Sequence, residues 1–193
     1  MAWEATEGEV RVLFTPARRR TWEDRLAVRF PRLYGSGAAL VWSLFDRLPV
    51  GNRTRRRILA RIAGRSYGAF VRRDLDAIQA MYHPECVFDY THFEGWPDQP
   101  IYAGKDGLRK VLESFDPIGI DSIEPIELQD LGNQILLGLR IRGEGVQSSI
   151  PISGTVWQLA QVKDGLVFRV NNYRDREQAA AEARAASSPT STA

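Results

Sequence analysis

The chain is poor in several things that would have marked its class. Among its 193 residues there is a single cysteine, Cys86, so no disulfide can form within it and nothing in the composition favours an oxidising compartment. Histidines number two, His83 and His92, nine residues apart and with no carboxylate or cysteine set at ligand spacing, so no metal site is expected. The longest apolar run, from Gly37 to Phe45, stops at Asp46, far short of the roughly 20 residues a membrane span requires. Near Met1 stand Glu4, Glu7 and Glu9 rather than a basic patch and an apolar run, so a signal peptide is not expected. A cytoplasmic protein is the resulting expectation. Lysine is almost absent, with three residues, and arginine carries the positive charge.

What is present is a globular mixture, 44% hydrophobic and 26% charged, enough for one domain with a real core. The charge is uneven. From Met1 to Ser66 there are 14 arginines and 6 acids, with dense clusters at Arg18-Arg19-Arg20 and Arg53-Thr54-Arg55-Arg56-Arg57. No aromatic platform accompanies them, so a solvated helical face is preferred over nucleic-acid binding.

Residues 1–52 are expected to form a basic helical extension, with helices near 22–33 and 38–48. Pro31 should end or kink the first. The stripe Leu40, Val41, Leu44, Phe45 and Leu48 of the second needs a partner, most simply the main domain, otherwise a membrane surface or another subunit. Residues 53–177 read as the main domain. Helices are expected over 53–73 and 75–82, with Asp74 as N-cap, and over 105–115. The segment 86–92 alternates like a strand, residues 95–100 read as loop, and extended segments follow at 120–128, 134–142, 155–162 and 166–173. The last two are joined by Asp164-Gly165, a hairpin signal. Residues 178–193, rich in Ala and Ser, read as a disordered tail. Helices before and an antiparallel meander after give an α+β fold, with helices packed on a strongly bent, mostly antiparallel sheet that forms a cone with a pocket.

Four segments carry a resemblance to a known family: Tyr67-Gly-Ala-Phe-Val-Arg-Arg-Asp-Leu-Asp-Ala-Ile, Met81-Tyr-His-Pro-Glu-Cys-Val-Phe, Tyr102-Ala-Gly-Lys-Asp-Gly-Leu-Arg, and Val156-Trp157 with Asp164-Gly-Leu-Val. In order and spacing, residues 61–175 resemble the SnoaL-like branch of the nuclear-transport-factor-2-like (NTF2-like) superfamily. The resemblance implies the conical fold. It does not imply one activity, because the superfamily holds isomerases, polyketide cyclases, epoxide hydrolases, dehydratases and members that only bind or dimerise.

Carried over residue by residue, the resemblance to ketosteroid isomerases puts Tyr90 at the place of the proton-moving aspartate, Thr155 at that of the oxyanion aspartic acid, and Ser66, beside Tyr67, at that of the tyrosine. Tyrosine, with an ordinary pKa near 10, is a poor base at neutral pH. Resemblance to the epoxide hydrolases offers Arg140 but puts Arg142 and Asn172 where carboxylates belong. The cyclases' aspartate falls in Asn171-Asn172-Tyr173, and an asparagine shuttles no proton.

Alternation and resemblance together nominate the pocket. Cys86, Phe88, Tyr90 and His92 share one face of the first strand. Leu166, Phe168, Val170 and Asn172 share one face of the last. The resemblance makes Thr155, Trp157, Leu159 and Gln161 the pocket side of the strand before it. His92 and Tyr90 are the catalytic candidates, and Tyr67, Phe88, Trp157 and Asn172 the ligand contacts. The loop acids Glu94 and Asp98 are within reach of the mouth. None of the inward strand positions is Asp or Glu, so the pocket is expected to work mainly by binding a small hydrophobic or aromatic molecule, without cofactor. Isomerase- or cyclase-type chemistry remains open. The competing reading is a non-catalytic module that forms a homodimer through the outer sheet face, while its arginine-rich extension docks a partner or anionic surface.

Overall fold

The computed structural model describes residues 14–93, 99–146 and 148–187. The first helix, α1 (Trp22–Arg29), starts at Thr21, whose hydroxyl accepts from the Asp24 N–H at 3.2 Å while the Asp24 carboxylate accepts from the Thr21 N–H at 2.9 Å. This reciprocal box satisfies two orphan donors of the first turn. The first helix ends just before Pro31, one of the two outcomes expected of that proline. Pro31 opens α2 (Pro31–Asp46), where its fixed φ and missing N–H do no harm. The long α3 (Arg53–Val71) is capped by Asn52, and the short α4 (Leu75–Met81) by Asp74, whose carboxylate accepts from Ala77 N–H at 3.3 Å.

Chain direction then turns into the sheet: β1 (Tyr82–Asp89), β2 (Ile101–Ala103), α5 (Gly104–Ser114), a 3₁₀ turn at Asp116–Ile118, and β3 (Ile120–Asp130), β4 (Gln134–Glu144), β5 (Pro151–Lys163) and β6 (Leu166–Tyr173). The sheet order is β2-β1-β6-β5-β4-β3. Every pairing is antiparallel except β1 with β6, as a single helical crossover followed by a meander dictates. At the β5–β6 turn both Asp164 and Gly165 have positive φ, 52° and 75°, the conformation that matches strand twist. The expected loop acids Glu94 and Asp98, and most of the loop 95–100, lie outside the described residues.

The inner face of the sheet and helices α3, α4 and α5 share one core, in which Leu59, Ile78, Phe88, Leu108, Val111, Leu128 and Leu139 are almost wholly buried. Part of the N-terminal segment belongs to this body. Ala17 N–H donates to Gly64 O at 2.8 Å, and Phe14 stacks on Tyr67 with centroids 5.4 Å apart. Buried ion pairs fix it further: Asp24 with Arg65 at 2.9 Å, and Arg55 with Asp130. Arg55, from the densest arginine cluster, is therefore not on a solvated face. Its guanidinium also donates to Phe45 O, Leu48 O and Gly132 O at 3.2, 3.1 and 2.9 Å, above the Phe45 ring.

Two further expectations are corrected. On α2 the inward residues are Phe45 and half-buried Trp42, stacked at 4.4 Å, while Leu40, Val41 and Leu44 face solvent; the apolar stripe is turned away from the main domain. The alanine-rich stretch expected to be a disordered tail from residue 178 forms α6 (Arg176–Ser187). Small side chains let it lie close on the outer face of the sheet, where Ala179 and Ala183 bury against Leu136, Leu159 and Tyr173. Arg176 anchors its start by a two-pronged pair with buried Glu127, at 2.7 and 3.0 Å, the geometry that gives such pairs their strength. The outer face assigned to a homodimer is open only beyond α6, where Arg140, Arg142 and Arg169 are exposed.

Candidate functional site

Between α3, α5 and the inner face of the sheet lies a cavity of about 50 Å³ of space open to water centres, where one water needs roughly 10–15 Å³. Tyr67 and Phe70 reach it from α3, Tyr82, Phe88 and Tyr90 from β1 and its end, Val111 and Leu112 from α5, Ile123 from β3, Leu139 and Ile141 from β4, and Gln158 from β5. The rings of Tyr82 and Phe88 stack at 5.3 Å, and Phe70 meets both edge-on at 6.1 and 6.2 Å, so the wall is held by aromatic packing.

Polar groups enter this apolar wall in an ordered way. The Tyr67 hydroxyl donates to Gln158 Oε1, and Gln158 Nε2 donates to Asn172 Oδ1 at 2.8 Å. Asn172 Nδ2 then donates to the carbonyls of Asp89 and Val170, at 3.1 and 3.4 Å. The Tyr82 hydroxyl lies 3.2 Å from Ser66 Oγ. Burial pushes Tyr67, Tyr82 and Tyr90 well above the ordinary tyrosine range, because a phenolate there would lose its hydration. All three are neutral donors at physiological pH. Burial likewise raises the Cys86 thiol to about 11, so it is no nucleophile.

At the rim Arg73 adopts φ 55°, in the left-handed region that costs a side-chain-bearing residue energy. Its guanidinium donates to Leu112 O at 3.0 Å and pairs with Asp116; both side chains remain about half exposed, 46% and 57%. Among the described residues no three His, Cys, Asp or Glu side chains gather as metal ligands would.

Of the nominated residues, Tyr67, Phe88 and Tyr90 line the cavity and His92, Trp157 and Asn172 do not. β1 ends at Asp89, whose carboxylate accepts from Thr91 N–H at 2.9 Å while Phe93 N–H donates to Tyr90 O at 2.8 Å. This turn ends the alternation before His92, which is exposed and stacks on the Tyr173 ring at 5.5 Å, away from the cavity. Tyr90, neutral and buried, is no base.

Trp157 is on the outer face, opposite Gly138 and 5.8 Å from the Arg176 guanidinium. β5 pairs with β4 in unbroken register, so Trp157 shares the outer parity of Leu159; in β6 a bulge intervenes, where Val162 pairs with Val167 but Gln161 with Arg169, leaving Phe168 as the extra residue. One residue of slip reverses every side chain beyond it. Val167, Val170 and Asn172 therefore face inward, Phe168 packs on His83 at 5.5 Å, and the inward face of β5 is Val156, Gln158 and Ala160. Asn172 points inward as expected but is fully buried behind Gln158, holding that carboxamide and the end of β1. Gln158, Tyr82 and Arg73 escaped the sequence reading. Gln158 sits between Trp157 and Leu159, so the more apolar parity on β5 is the wrong one.

A family model described as SnoaL-like domain matches residues 63–170. No match was found among curated proteins. Among solved structures, TerC co-crystallised with polyporic acid is similar at 15% identity and a TM-score of 0.51, over 64% of this chain and 96% of that one. An NTF2-like protein of unknown function from Burkholderia pseudomallei K96243 is similar at 18% identity and a TM-score of 0.51, over 66% and 96%. The shared feature is the fold.

Proposed function

The chain belongs to the SnoaL-like family, and from that premise we propose that its cavity binds a compact hydrophobic or aromatic molecule bearing a hydrogen-bond acceptor. The observation that carries this reading is the composition of the wall: three neutral phenols and one carboxamide among Phe, Val, Leu and Ile side chains, with Arg73 at the rim and no carboxylate. Such a wall grips a flat apolar body by dispersion and orients it through one or two polar contacts. Neutral donors in a dry site polarise a carbonyl or stabilise an oxyanion. They abstract no proton, so binding and polarisation are the cavity's work, and an isomerase- or cyclase-type reaction here would need its base from the ligand itself. A ligand larger than a few heavy atoms needs the wall to give, and the partly exposed rim of Arg73, Phe115 and Ile120 is where it gives.

Soaking crystals separately with 4-hydroxyacetophenone and with polyporic acid, the molecule crystallised with TerC, tests this. The expected result is density between Tyr67, Tyr90 and Gln158 with an acceptor oxygen in hydrogen-bond reach of a phenol. Density confined to the outer sheet face near His92 and Trp157 would contradict it.

A further inference from the structure

The charged residues of α1 and its flanks are sorted by sign. The acids Glu23 and Asp24 turn inward, where they are buried and paired with Arg61 and Arg65. The exposed positions Arg18, Arg19, Arg25, Arg29 and Arg32 have no ion pair among the described residues. The two helices also expose large apolar side chains. Trp22 and Leu26 lie one turn apart beside Arg25 and Arg29, so one stripe of α1 is both apolar and basic. On α2 the exposed Leu33, Leu40, Val41 and Leu44, at i, i+7, i+8 and i+11, form an apolar stripe of their own. Exposure is 66% at Trp22, 70% at Leu33, 64% at Leu40 and 53% at Leu44, far more than scattered surface leucines explain. Asp46, the last residue of α2, is the one exposed acid of the two helices.

We infer that the outward face of α1 and α2 is a docking surface for an anionic phospholipid membrane. Charge complementarity selects this occupant. A second copy meeting the face about a two-fold axis would set arginine against arginine with almost no acid to pair them. A bilayer of anionic lipid supplies phosphates to the arginines and an apolar boundary to Trp22, Leu33, Leu40 and Leu44, which is how amphipathic helices lie in an interface. No helix of the described residues is long and apolar enough to cross a membrane, so the contact is with the surface. The cavity residues take no part in it.

Co-sedimentation of the full chain with vesicles tests the inference. Vesicles of equal parts phosphatidylglycerol and phosphatidylcholine should bind the protein, and pure phosphatidylcholine vesicles should not. Replacing Arg25, Arg29 and Arg32 with Gln should weaken partitioning about a hundredfold, roughly fivefold for each arginine. Replacing Leu33 and Leu40 with Ser should also weaken partitioning onto the anionic vesicles, with the arginines intact. All five side chains are exposed, and an unchanged thermal midpoint confirms folding; should the Ser variant unfold, the Arg variant decides alone. Equal binding to both vesicles, no binding to either, or capture of duplex DNA without vesicle binding would overturn the inference. So would a dimer in light scattering that the Leu33→Ser, Leu40→Ser variant dissociates.

Discussion

Gly138 and Trp157 face each other across β4 and β5 on the outer side of the sheet, and a Cβ on Gly138 would stand 2.6 Å from the indole Cη2. The indole occupies the notch that the missing side chain leaves. Gly138→Ala should therefore destabilise the fold by about 1–3 kcal/mol through overpacking, and Trp157→Phe in the same chain should recover part of it. Urea denaturation of the two single variants and the double variant reads the coupling. Additive effects would mean that Trp157 does not rest on Gly138.

The Arg55–Asp130 pair ties α3 to the end of β3 with both side chains almost wholly buried. Removing one partner leaves a buried charge alone, so Arg55→Leu or Asp130→Leu should cost about 3–5 kcal/mol. Replacing both should cost clearly less than the sum. Chemical denaturation gives all four stabilities.

Alkaline conditions probe the cavity tyrosines. Their folded pKa values are raised by burial, whereas in the unfolded chain they ionise near the ordinary value of about 10. The unfolded state then loses protons first, so the stability held by the neutral phenols is fully present below about pH 10 and is lost as pH rises above it. Tyr90→Phe should flatten that decline in a stability-versus-pH series. An unchanged slope would mean that Tyr90 ionises alike in both states.

Much of the fold was legible because long periodic segments and one Asp-Gly turn leave few topologies. The inward face of β4, through Leu137 and Leu139, and that of β1, through Cys86, Phe88 and Tyr90, follow from simple alternation. The site was legible only in part, for local reasons. The bulge at Phe168 sets the inward Val170 and Asn172 opposite Ala160 and Gln158 rather than Leu159 and Trp157, and no residue type announces a bulge. The outer face is also apolar because α6 covers it, so hydrophobicity could not tell Trp157 and Leu159 from the inward Gln158. His92 was lost to an Asx turn at Asp89 that ends the strand three residues earlier. The alanines of α6 read as tail because their burial against Leu136 and Tyr173 depends on a sheet far away in sequence.

The account rests on the claim that ligand is held at the inner wall by Tyr67, Tyr90 and Gln158 and not at the outer face. Calorimetric titration with 4-hydroxyacetophenone measures this directly across four variants. Tyr90→Phe and Gln158→Leu should weaken binding by about 1–3 kcal/mol each, the cost of a lost buried hydrogen bond, while His92→Ala and Trp157→Phe should stay within about twofold of the parent, being outside the cavity. Loss of binding in His92→Ala or Trp157→Phe, with Tyr90→Phe and Gln158→Leu intact, would contradict it.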